Sequence, residues 1–284
     1  MSNRLISGAG IGLRIPHIHD ILAGQNDQAI ANIPWFEIVV DNFLVEGGFN
    51  RTALRAISER YPLIFHGVAL SLASLNPLNL DYLKAIKSLK DETGAEWYSE
   101  HLSFSSSGSS HFPDLLPLPY TEETIAHVSE RIVQVQDIMG ERMLIENISS
   151  YVSCQFNEMS EGEFIAEIVQ RADCHLLLDI NNAYVNSVNF GEHLGDYLSR
   201  IPASAVKQIH LAGFTDKDDF LLDAHNNPVT DEVWKVYAAF IRDNGPIPSM
   251  IEWDSDLPPL DTLLKERAIA ERLLESAQQI GHCA

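Results

Sequence analysis

The chain has little of three things that narrow the class of a protein: cysteine, positive charge and long apolar runs. Its three cysteines, Cys154, Cys174 and Cys283, are spread over 284 residues. Because they are few, odd in number and far apart, they argue against a disulfide framework and against a thiolate metal site. No apolar stretch approaches the roughly 20 residues that span a bilayer, so we expect no membrane association.

Positive charge is scarce: 19 Lys and Arg residues stand against 40 Asp and Glu residues, which gives a formal net charge of -21. A chain this acidic repels a phosphate backbone, and no basic stripe interrupts the pattern, so we expect no nucleic-acid partner. The glycine-rich amino terminus, Met1 to Gly12, lacks the apolar core of a secretory signal. We therefore expect a cytoplasmic protein.

What the sequence does have is a repeated pattern of short apolar runs, most of which end in a polar residue. The runs are Ile11–Arg14, Phe36–Asp41, Leu63–His66, Trp97–His101, Met143–Asn147, Leu176–Asn182, Val206–His210 and Met250–Asp254. Helical periodicity lies between them, and is clearest in Leu54–Arg60, Leu80–Leu89, Thr124–Ile138, Phe164–Arg171, Val233–Ile241 and Leu263–Ala277. Eight β-then-α units in a chain near the usual length of roughly 250 residues are typical of an α/β TIM barrel. We predict a single (β/α)8 domain over residues 1–284.

One segment departs from this rhythm. Residues Ser103–Tyr120 follow the fourth run and contain a serine and glycine cluster and then a proline-rich stretch. Irregular loops longer than about 12 to 15 residues are uncommon unless they are functional or disordered. We predict an irregular lid or binding loop, with a solvated insertion as the alternative for the serine part.

The polar residues that end the runs are the strongest functional signal, because TIM barrels place their active sites at the carboxyl ends of the strands. Six of these ends carry a histidine or a carboxylate: His66, His101, Glu146, Asp179, His210 and Glu252. A single histidine at a strand end is more often structural. Six such side chains at one barrel mouth predict a metal site, because buried carboxylates without a partner cost several kcal/mol each.

The donor set narrows the metal and its number. His225, in the loop after the seventh strand, adds a seventh potential ligand. Imidazole and carboxylate without thiolate favour zinc, manganese, iron or nickel. The donors exceed what one ion needs, so we predict two or three ions, with Glu146 as a bridge. We expect Asp223 and Glu100 to orient ligands instead of binding metal.

Other polar residues near the predicted mouth are candidates for contact with a substrate. They are His17, Asn147, Tyr184 and Asn186. For His17 exposure to solvent is the alternative, and for Tyr184 packing at the rim. Glu37 alternates with Val39 in the second strand, which is compatible with an inward carboxylate.

The motifs around these residues resemble those of the multinuclear non-haem iron-dependent oxidases, the family that includes the oxidase of methanobactin biosynthesis. The motifs run in order from about Gly10 to the last helix: Phe65–Val68, Ser99–Leu102, Asp114–Tyr120, Ile145–Asn147, Leu177–Asn186, His210–Gly213 and Ile251–Asp254. The resemblance implies a xylose-isomerase-like barrel that holds two or three iron ions. By motif, the ligands would be His66, His101, Glu146, Asp179, Asn182, His210, His225 and Glu252.

The resemblance also implies a reaction: oxidation of cysteine in a ribosomally made precursor peptide, with dioxygen as cosubstrate and a mixed-valent Fe(II)/Fe(III) pair. A small partner protein would hold the leader peptide, and Glu146, Asp179 and His210 would carry the catalytic roles. Two positions depart from the family pattern, since many relatives have histidine at Val39 and Phe214. These departures concern the substrate pocket and the third ion, for which Asn182 is a weak neutral ligand.

Two other functions remain open at the level of the sequence. A divalent-metal hydrolase or a sugar isomerase on the same barrel would use a similar mouth. The acidic composition disfavours a phosphodiesterase, and no run ends in the lysine expected of an isomerase. A metal-storage or scaffold protein would not need a lid loop or aromatic side chains such as Tyr120 and Tyr184 at the mouth.

Overall fold

The barrel is built from eight parallel strands. The computed structural model describes residues 6–24 and 27–281, so Cys283 and the start of the amino terminus lie outside the described residues. The barrel strands are β1 (Ala9–Gly12), β2 (Phe36–Val39), β3 (Leu63–Gly67), β4 (Tyr98–His101), β7 (Leu144–Glu146), β8 (His175–Asp179), β9 (Val206–Leu211) and β12 (Ser249–Ile251). They follow one another in chain order, and β1 pairs with β12 to close the barrel. The predicted α/β TIM barrel is confirmed.

Helices connect the strands and cover the outside of the barrel. They are α1 (Ile18–Ala23), α2 (Gln28–Ala31), α3 (Gly48–Ser58), α4 (Leu80–Thr93), α5 (Glu122–Met139), α6 (Glu161–Ala172), α7 (Ile180–Phe190), α8 (Leu194–Arg200), α9 (Asp231–Asn244) and α10 (Leu260–Gly281). Side-chain caps begin several of them, including a capping box at Ser160. Gly94 and Gly140 end α4 and α5 in the left-handed conformation. No helix in the described ranges is long and apolar enough to cross a membrane.

Several strand boundaries differ from the predicted runs, and the differences at β1 and β8 bear on the site. Strand β1 begins and ends two residues earlier than the apolar run Ile11–Arg14 suggests. Strand β8 ends at Asp179, whose carboxylate accepts a hydrogen bond from the backbone N of Asn182 (2.6 Å). Because Asp179 caps helix α7, Asn182 lies in the first turn of that helix and not at the end of a strand.

The prediction of an irregular segment at Ser103–Tyr120 is wrong. Most of it forms an antiparallel hairpin of β5 (Phe104–Ser107) and β6 (Ser110–Leu116), with Gly108 at positive φ in the turn. A second hairpin, of β10 (Gly213–Asp216) and β11 (Leu221–Asn227), follows β9. Both leave the carboxyl side of a barrel strand, so they build walls around the mouth.

The interior of the barrel has an apolar layer near the amino ends of the strands, which we call the floor layer. Its members are Ile6, Trp35, Ile64, Trp97, Leu144, Leu177 and Met250, all of them buried. Alternate side chains of a strand share a face, so the residue two positions later also points inward. His66 thus follows Ile64, and Glu146 follows Leu144, on the mouth side of the floor layer. The larger apolar core lies between the strands and the helices.

Candidate metal centre

Glu146, the last residue of β7, lies at the middle of the mouth. Its Oε2 is 3.2 Å from the Nε2 of both His66 and His101. Its Oε1 is 2.9 Å from Nδ1 of His210. The carboxylate thus faces two histidines with one oxygen and a third histidine with the other, which is the arrangement of a carboxylate that bridges two cations.

Contacts at Nδ1 orient the first pair of histidines, His66 and His101. Nδ1 of His66 lies 2.8 Å from the hydroxyl of Ser99, and Nδ1 of His101 lies 3.1 Å from the carbonyl oxygen of Gly67. These contacts leave both Nε2 atoms, 3.3 Å apart, facing Glu146. Gly67 is required where it stands, because a Cβ there would overlap the carboxylate of Glu100.

A second group of ligand atoms adjoins the first. Glu146, Asp179, His210 and Glu252 place one ligand atom each within 4.8 Å of one another, and all four are buried. Nδ1 of His210 lies 2.9 Å from Oε2 of Glu252 as well as from Glu146. We call His66, Glu146, Asp179, His210 and Glu252 the metal layer.

A third group consists of His225, Glu252 and Asp254. Nδ1 of His225 lies 3.4 Å from Glu252 and 3.2 Å from Asp254. Strand β11 holds His225 at a φ of 42°, in the left-handed region that non-glycine residues rarely adopt. On the other side of the ring, Nε2 lies 2.6 Å from Asp223, which also accepts a hydrogen bond from the Asn181 amide. Asp223 therefore orients His225, as the sequence predicted.

A chain of three side chains beneath the metal layer orients His210. The indole N–H of Trp97 donates to the Gln208 carbonyl (2.8 Å), which turns the Gln208 amide toward Glu37 (2.5 Å). Glu37 in turn lies 2.9 Å from Nε2 of His210. A proton on Nε2 is stabilised by this carboxylate, and the lone pair of Nδ1 then faces Glu146 and Glu252. The inward orientation that strand alternation suggested for Glu37 is confirmed.

The buried polar atoms of the centre test whether it fits metal ions. Glu146 Oε2, Asp179 Oδ2 and Asn182 Oδ1 are buried and accept no hydrogen bond from any described residue. Acceptors of this kind are costly unless a donor or a cation faces them. Nitrogen and oxygen donors in three groups, joined by Glu146 and Glu252, fit two or three divalent cations.

The pKa shifts of the buried acids and of His210 also support a cation site. Burial raises the pKa of Glu146 to about 7 and raises the pKa of Asp179 well above its usual range. For His210 burial acts to lower the pKa, but the carboxylates of Glu252, Glu37 and Glu146 outweigh it and raise the pKa well above 6.5. In the absence of metal the centre therefore retains protons. Cations displace such protons, so metal binding should weaken in acid.

A cavity of about 410 Å³ opens onto the three groups. Its walls include Val39, Leu115 of the first hairpin, Tyr151 and the Leu222–His225 stretch of the second hairpin. No lysine or arginine is among the described residues that line it. An anionic group that enters the cavity therefore has only metal ions or protonated histidines to balance its charge.

Four residues were predicted to contact substrate, and the structure places none of them among the described residues that line this cavity. His17 is buried with Nε2 2.8 Å from the Pro258 carbonyl. The Asn147 amide forms two 2.9 Å hydrogen bonds with the backbone of Asp179, which positions that ligand.

The other two lie farther along α7. Tyr184 stacks on Phe214, with ring centroids 5.6 Å apart. Asn186 lines a neighbouring cavity of about 450 Å³ together with Glu161. The roles of all four residues as substrate contacts remain predictions. Glu100, expected to orient a ligand, accepts a hydrogen bond from Tyr98 (2.6 Å) behind the strand.

Three residues of the centre escaped the sequence reasoning: Arg14, Gln208 and Asp254. For Gln208 strand alternation carries a signal, since it precedes His210 by two residues on β9. Arg14 and Asp254 end the first and the last apolar run, but both lie beyond the ends of β1 and β12, and contacts between the two ends of the chain position them.

Comparison with known proteins places this centre in a family. A curated relative, a UPF0276 protein of Acaryochloris marina (strain MBIC 11017), is 45% identical over 269 residues, which cover 95% of each chain. The barrel is similar to that of a xylose isomerase domain containing protein of Salmonella typhimurium, with a TM-score of 0.62, 14% identity and 99% of each chain covered. It is equally similar, with a TM-score of 0.62, to L-ribulose 3-epimerase, at 12% identity, with 99% of this chain and 95% of the other covered. Likeness at these identities shows the fold alone.

The family model described as RiPP precursor modification enzyme MbnB/TglH/ChrH matches residues 8–275. The match spans the whole barrel and every candidate ligand. It confirms the family that the strand-end motifs predicted. The chain therefore belongs to the RiPP precursor modification enzymes of the MbnB/TglH/ChrH family, which act on ribosomally made precursor peptides.

Proposed function

We propose that this enzyme uses iron and dioxygen to oxidise a cysteine residue of a ribosomally made precursor peptide. One observation carries the proposal: Glu146 and Glu252 are shared among three adjoining groups of histidines and carboxylates in one centre. Such sharing supports a multinuclear site of two or three ions, and membership of the family supports a peptide substrate.

The donors allow iron, and the resemblance of the motifs to those of iron-dependent oxidases, together with the proposed oxidation, favours it. Histidine and carboxylate donors suit iron, manganese and zinc about equally well. An oxidation needs a metal that changes its oxidation state. Bound iron, as a mixed-valent Fe(II)/Fe(III) pair, would supply electron exchange with dioxygen and substrate. A hydrolase or an isomerase would need only the Lewis acidity of such ions.

Each protein group then has a defined task. His66 and His101 would hold one ion, Asp179, His210 and Glu252 would hold another, and Glu146 presents one carboxylate oxygen to each group. His225 and Asn182 complete the proposed ligand set. We assign the catalytic roles to Glu146, Asp179 and His210, which belong to the group that shares a carboxylate with each of the other two groups. The apolar floor layer beneath keeps water away from that side of the centre.

The described walls of the cavity carry carboxylates, among them Asp114 and Asp223, and no lysine or arginine. A cysteine thiolate would therefore enter only with metal ions bound, and these ions would be its strong partner. Val39 and Val68 offer apolar contact for the rest of the side chain. The hairpin of β5 and β6, which contributes Asp114 and Leu115, would cover a bound peptide.

The remaining peptide and a small leader-binding partner need an exposed surface. Tyr151, Val152 and Phe156, in the segment after β7, and Phe220, in the second hairpin, are 43%, 63%, 68% and 43% exposed. Exposed apolar side chains grouped around a mouth favour contact with another chain. We propose that the chain acts in the cytoplasm as one domain with such a partner.

The decisive experiment combines metal analysis with a mass measurement. Protein from iron-supplemented cells is purified without oxygen, its metals are counted, and it is mixed with the precursor peptide encoded beside its gene. We expect two or three irons per chain and a change in peptide mass that requires both oxygen and the peptide cysteine. A Cys→Ser peptide is the matched control.

An unchanged peptide mass with iron-loaded protein would contradict the proposed reaction. Stoichiometric zinc or manganese with little iron would instead favour the hydrolase or isomerase. For the isomerase, the expected lysine is not among the described residues that line the cavity.

A further inference from the structure

Arg14 places a permanent positive charge beside the third group of ligands. It follows strand β1 and is buried, with only 7% of its surface exposed. Its Nε donates to the carbonyl oxygen of Trp253 (2.9 Å), between the two carboxylates of the third group. One of its terminal nitrogens pairs with Oδ1 of Asp254 and lies 3.6 Å from Oε1 of Glu252.

Among the described residues, Asp254 and Glu252 are the acids that pair with the Arg14 guanidinium. The other terminal nitrogen of Arg14 is buried and has no hydrogen-bond partner among the described residues. The guanidinium packs over Gly12, where a Cβ would stand 3.2 Å from its central carbon. A guanidinium stays protonated inside a protein, so its charge cannot be relieved by loss of a proton. The carboxylates of Asp254 and Glu252 are the acids that balance it.

The three metal groups therefore differ. In the groups around Glu146, Glu146 and Asp179 face histidines and pair with no arginine or lysine among the described residues, and only Glu252, which is shared with the third group, lies near Arg14 (3.6 Å). In the third group, both carboxylates already face a cation. A divalent ion between His225, Glu252 and Asp254 would meet fewer free carboxylate oxygens and a like charge close by.

We propose that Arg14 acts as a built-in cation that restricts tight metal binding to two ions, and that a third ion binds only when the guanidinium leaves Asp254. This inference rests on the proposed metal centre and goes beyond it, because it assigns the control of metal number to one residue. Asp254 is half-exposed, so the pair has room to separate.

The test uses Mn²⁺ as a probe that does not react with oxygen under the conditions used, and equilibrium dialysis as the readout. Wild-type protein should bind two Mn²⁺ tightly and a third at least about tenfold more weakly. Arg14→Gln, which keeps much of the size and removes the charge, should tighten the third site at least about tenfold. Arg14→Lys should keep the wild-type pattern.

Two controls identify the site. Arg51 is a second buried arginine, which lies on helix α3, pairs with Glu92 of helix α4 and does not line the cavity, and Arg51→Gln should leave the pattern unchanged. The double variant Arg14→Gln with Asp254→Asn should lose the gain. Three equally tight ions in the wild type, or equal third-site affinity in Arg14→Gln, would overturn the inference.

If Arg14→Gln does not fold, wild-type crystals soaked in rising Mn²⁺ give the answer. We expect anomalous density beside Asp254 only where the guanidinium has moved away. An ion there with Arg14 still on Asp254 overturns the inference. Wild-type protein that binds no Mn²⁺ or iron would instead remove the metal centre itself, and two tight ions in both proteins would remove only the role of Arg14.

Discussion

Two layers inside one barrel have side chains of opposite character, and every member of the metal layer except His210 follows a floor residue by two positions. The floor layer is wholly apolar, from Ile64 through Leu144 to Met250. The metal layer directly above it holds His66, Glu146 and their neighbours, just as deeply buried but charged. Strand pairing, hydrogen bonding and distance from solvent are similar in both layers. The difference lies only in the side chains, so the two layers separate what the fold needs from what the chemistry needs.

The two layers contribute to the stability of the metal-free fold with opposite signs. Each fully buried aliphatic side chain of the floor stabilises the fold by about 1.5 to 3 kcal/mol. Each buried carboxylate of the metal layer costs several kcal/mol unless a cation faces it. The metal layer is therefore a cost to the metal-free protein that bound cations offset, and it is placed where the cavity makes it accessible.

The largest expected effect comes from changing Glu146, the carboxylate shared by two groups. Glu146→Gln keeps the shape but removes the negative charge and one good ligand atom. We expect the protein to lose at least one ion and peptide conversion to fall by roughly a thousandfold, since several kcal/mol of metal stabilisation are at stake. Metal analysis and mass spectrometry of the peptide measure the two effects.

A matched control is Glu123→Gln, on the exposed first turn of α5. It removes the same charge from the same residue type without a contact to the centre, and should leave metal content and conversion unchanged. Wild-type turnover and wild-type metal content in Glu146→Gln would show that the metal layer is not a catalytic centre.

A change in the floor layer should have the converse result. Leu177 is fully buried, two residues before Asp179 on β8. Leu177→Ala should lower the free energy of unfolding by about 2 to 5 kcal/mol, because it opens a cavity in a packed layer. The metal content of the folded protein should stay that of the wild type. Denaturant unfolding and metal analysis test this, and a loss of ions without a loss of stability would contradict it.

The Trp97–Gln208–Glu37 chain connects the two layers. Changes in it should weaken metal binding by smaller, graded amounts. Gln208→Leu removes the amide that holds Glu37 and should weaken metal binding about 10- to 100-fold, the range known for residues that orient a ligand. Trp97→Phe removes only the N–H that turns Gln208 and should weaken binding less. Metal titrations would contradict this order if Trp97→Phe proved the more damaging change.

The sequence revealed the metal layer well because each ligand ends an apolar run. Eight such runs predict both the barrel and the mouth, and His66 or Glu146 can be recognised without a structure. Gln208 received no role although it shares the alternating phase of His210 on β9, because an inward phase is visible in a sequence only once the strand boundaries are known. Arg14 and Asp254 lie beyond the ends of β1 and β12, where alternation gives no guidance.

The hairpin of β5 and β6 could not be predicted from its own residues. The serine-rich β5 and the polar β6 lack an alternating apolar pattern, and contacts with residues distant in sequence help to hold β5. The Ser71 hydroxyl accepts hydrogen bonds from the backbone N of Ser105 (2.9 Å) and Ser106 (3.1 Å). The position of Arg14 could not be predicted for the same reason, because Arg14 contacts Asp254, which is 240 residues away in sequence.

The smallest effect concerns a half-buried carboxylate outside the metal layer. Glu161, the first residue of α6, lines the neighbouring cavity and accepts a hydrogen bond from Asn186 (3.3 Å). Burial raises its pKa from 4.5 to about 8. Its contribution to stability is therefore fully present below about pH 4.5 and is lost as the pH rises through about 8.

Glu161→Gln cannot ionise and should not show that loss. In metal-loaded protein, where the titration of the metal layer is suppressed, we expect the melting temperature of the wild type to fall more between pH 6 and pH 9 than that of the variant. A difference of a few degrees corresponds to about 1 kcal/mol in a protein of this size. Glu123→Gln, which lacks burial, should follow the wild-type slope. Parallel slopes of melting temperature against pH for all three proteins would mean that Glu161 titrates as an exposed acid. A flatter slope for Glu161→Gln alone would show that a proton neutralises this carboxylate in the folded protein, as cations are proposed to do in the metal layer.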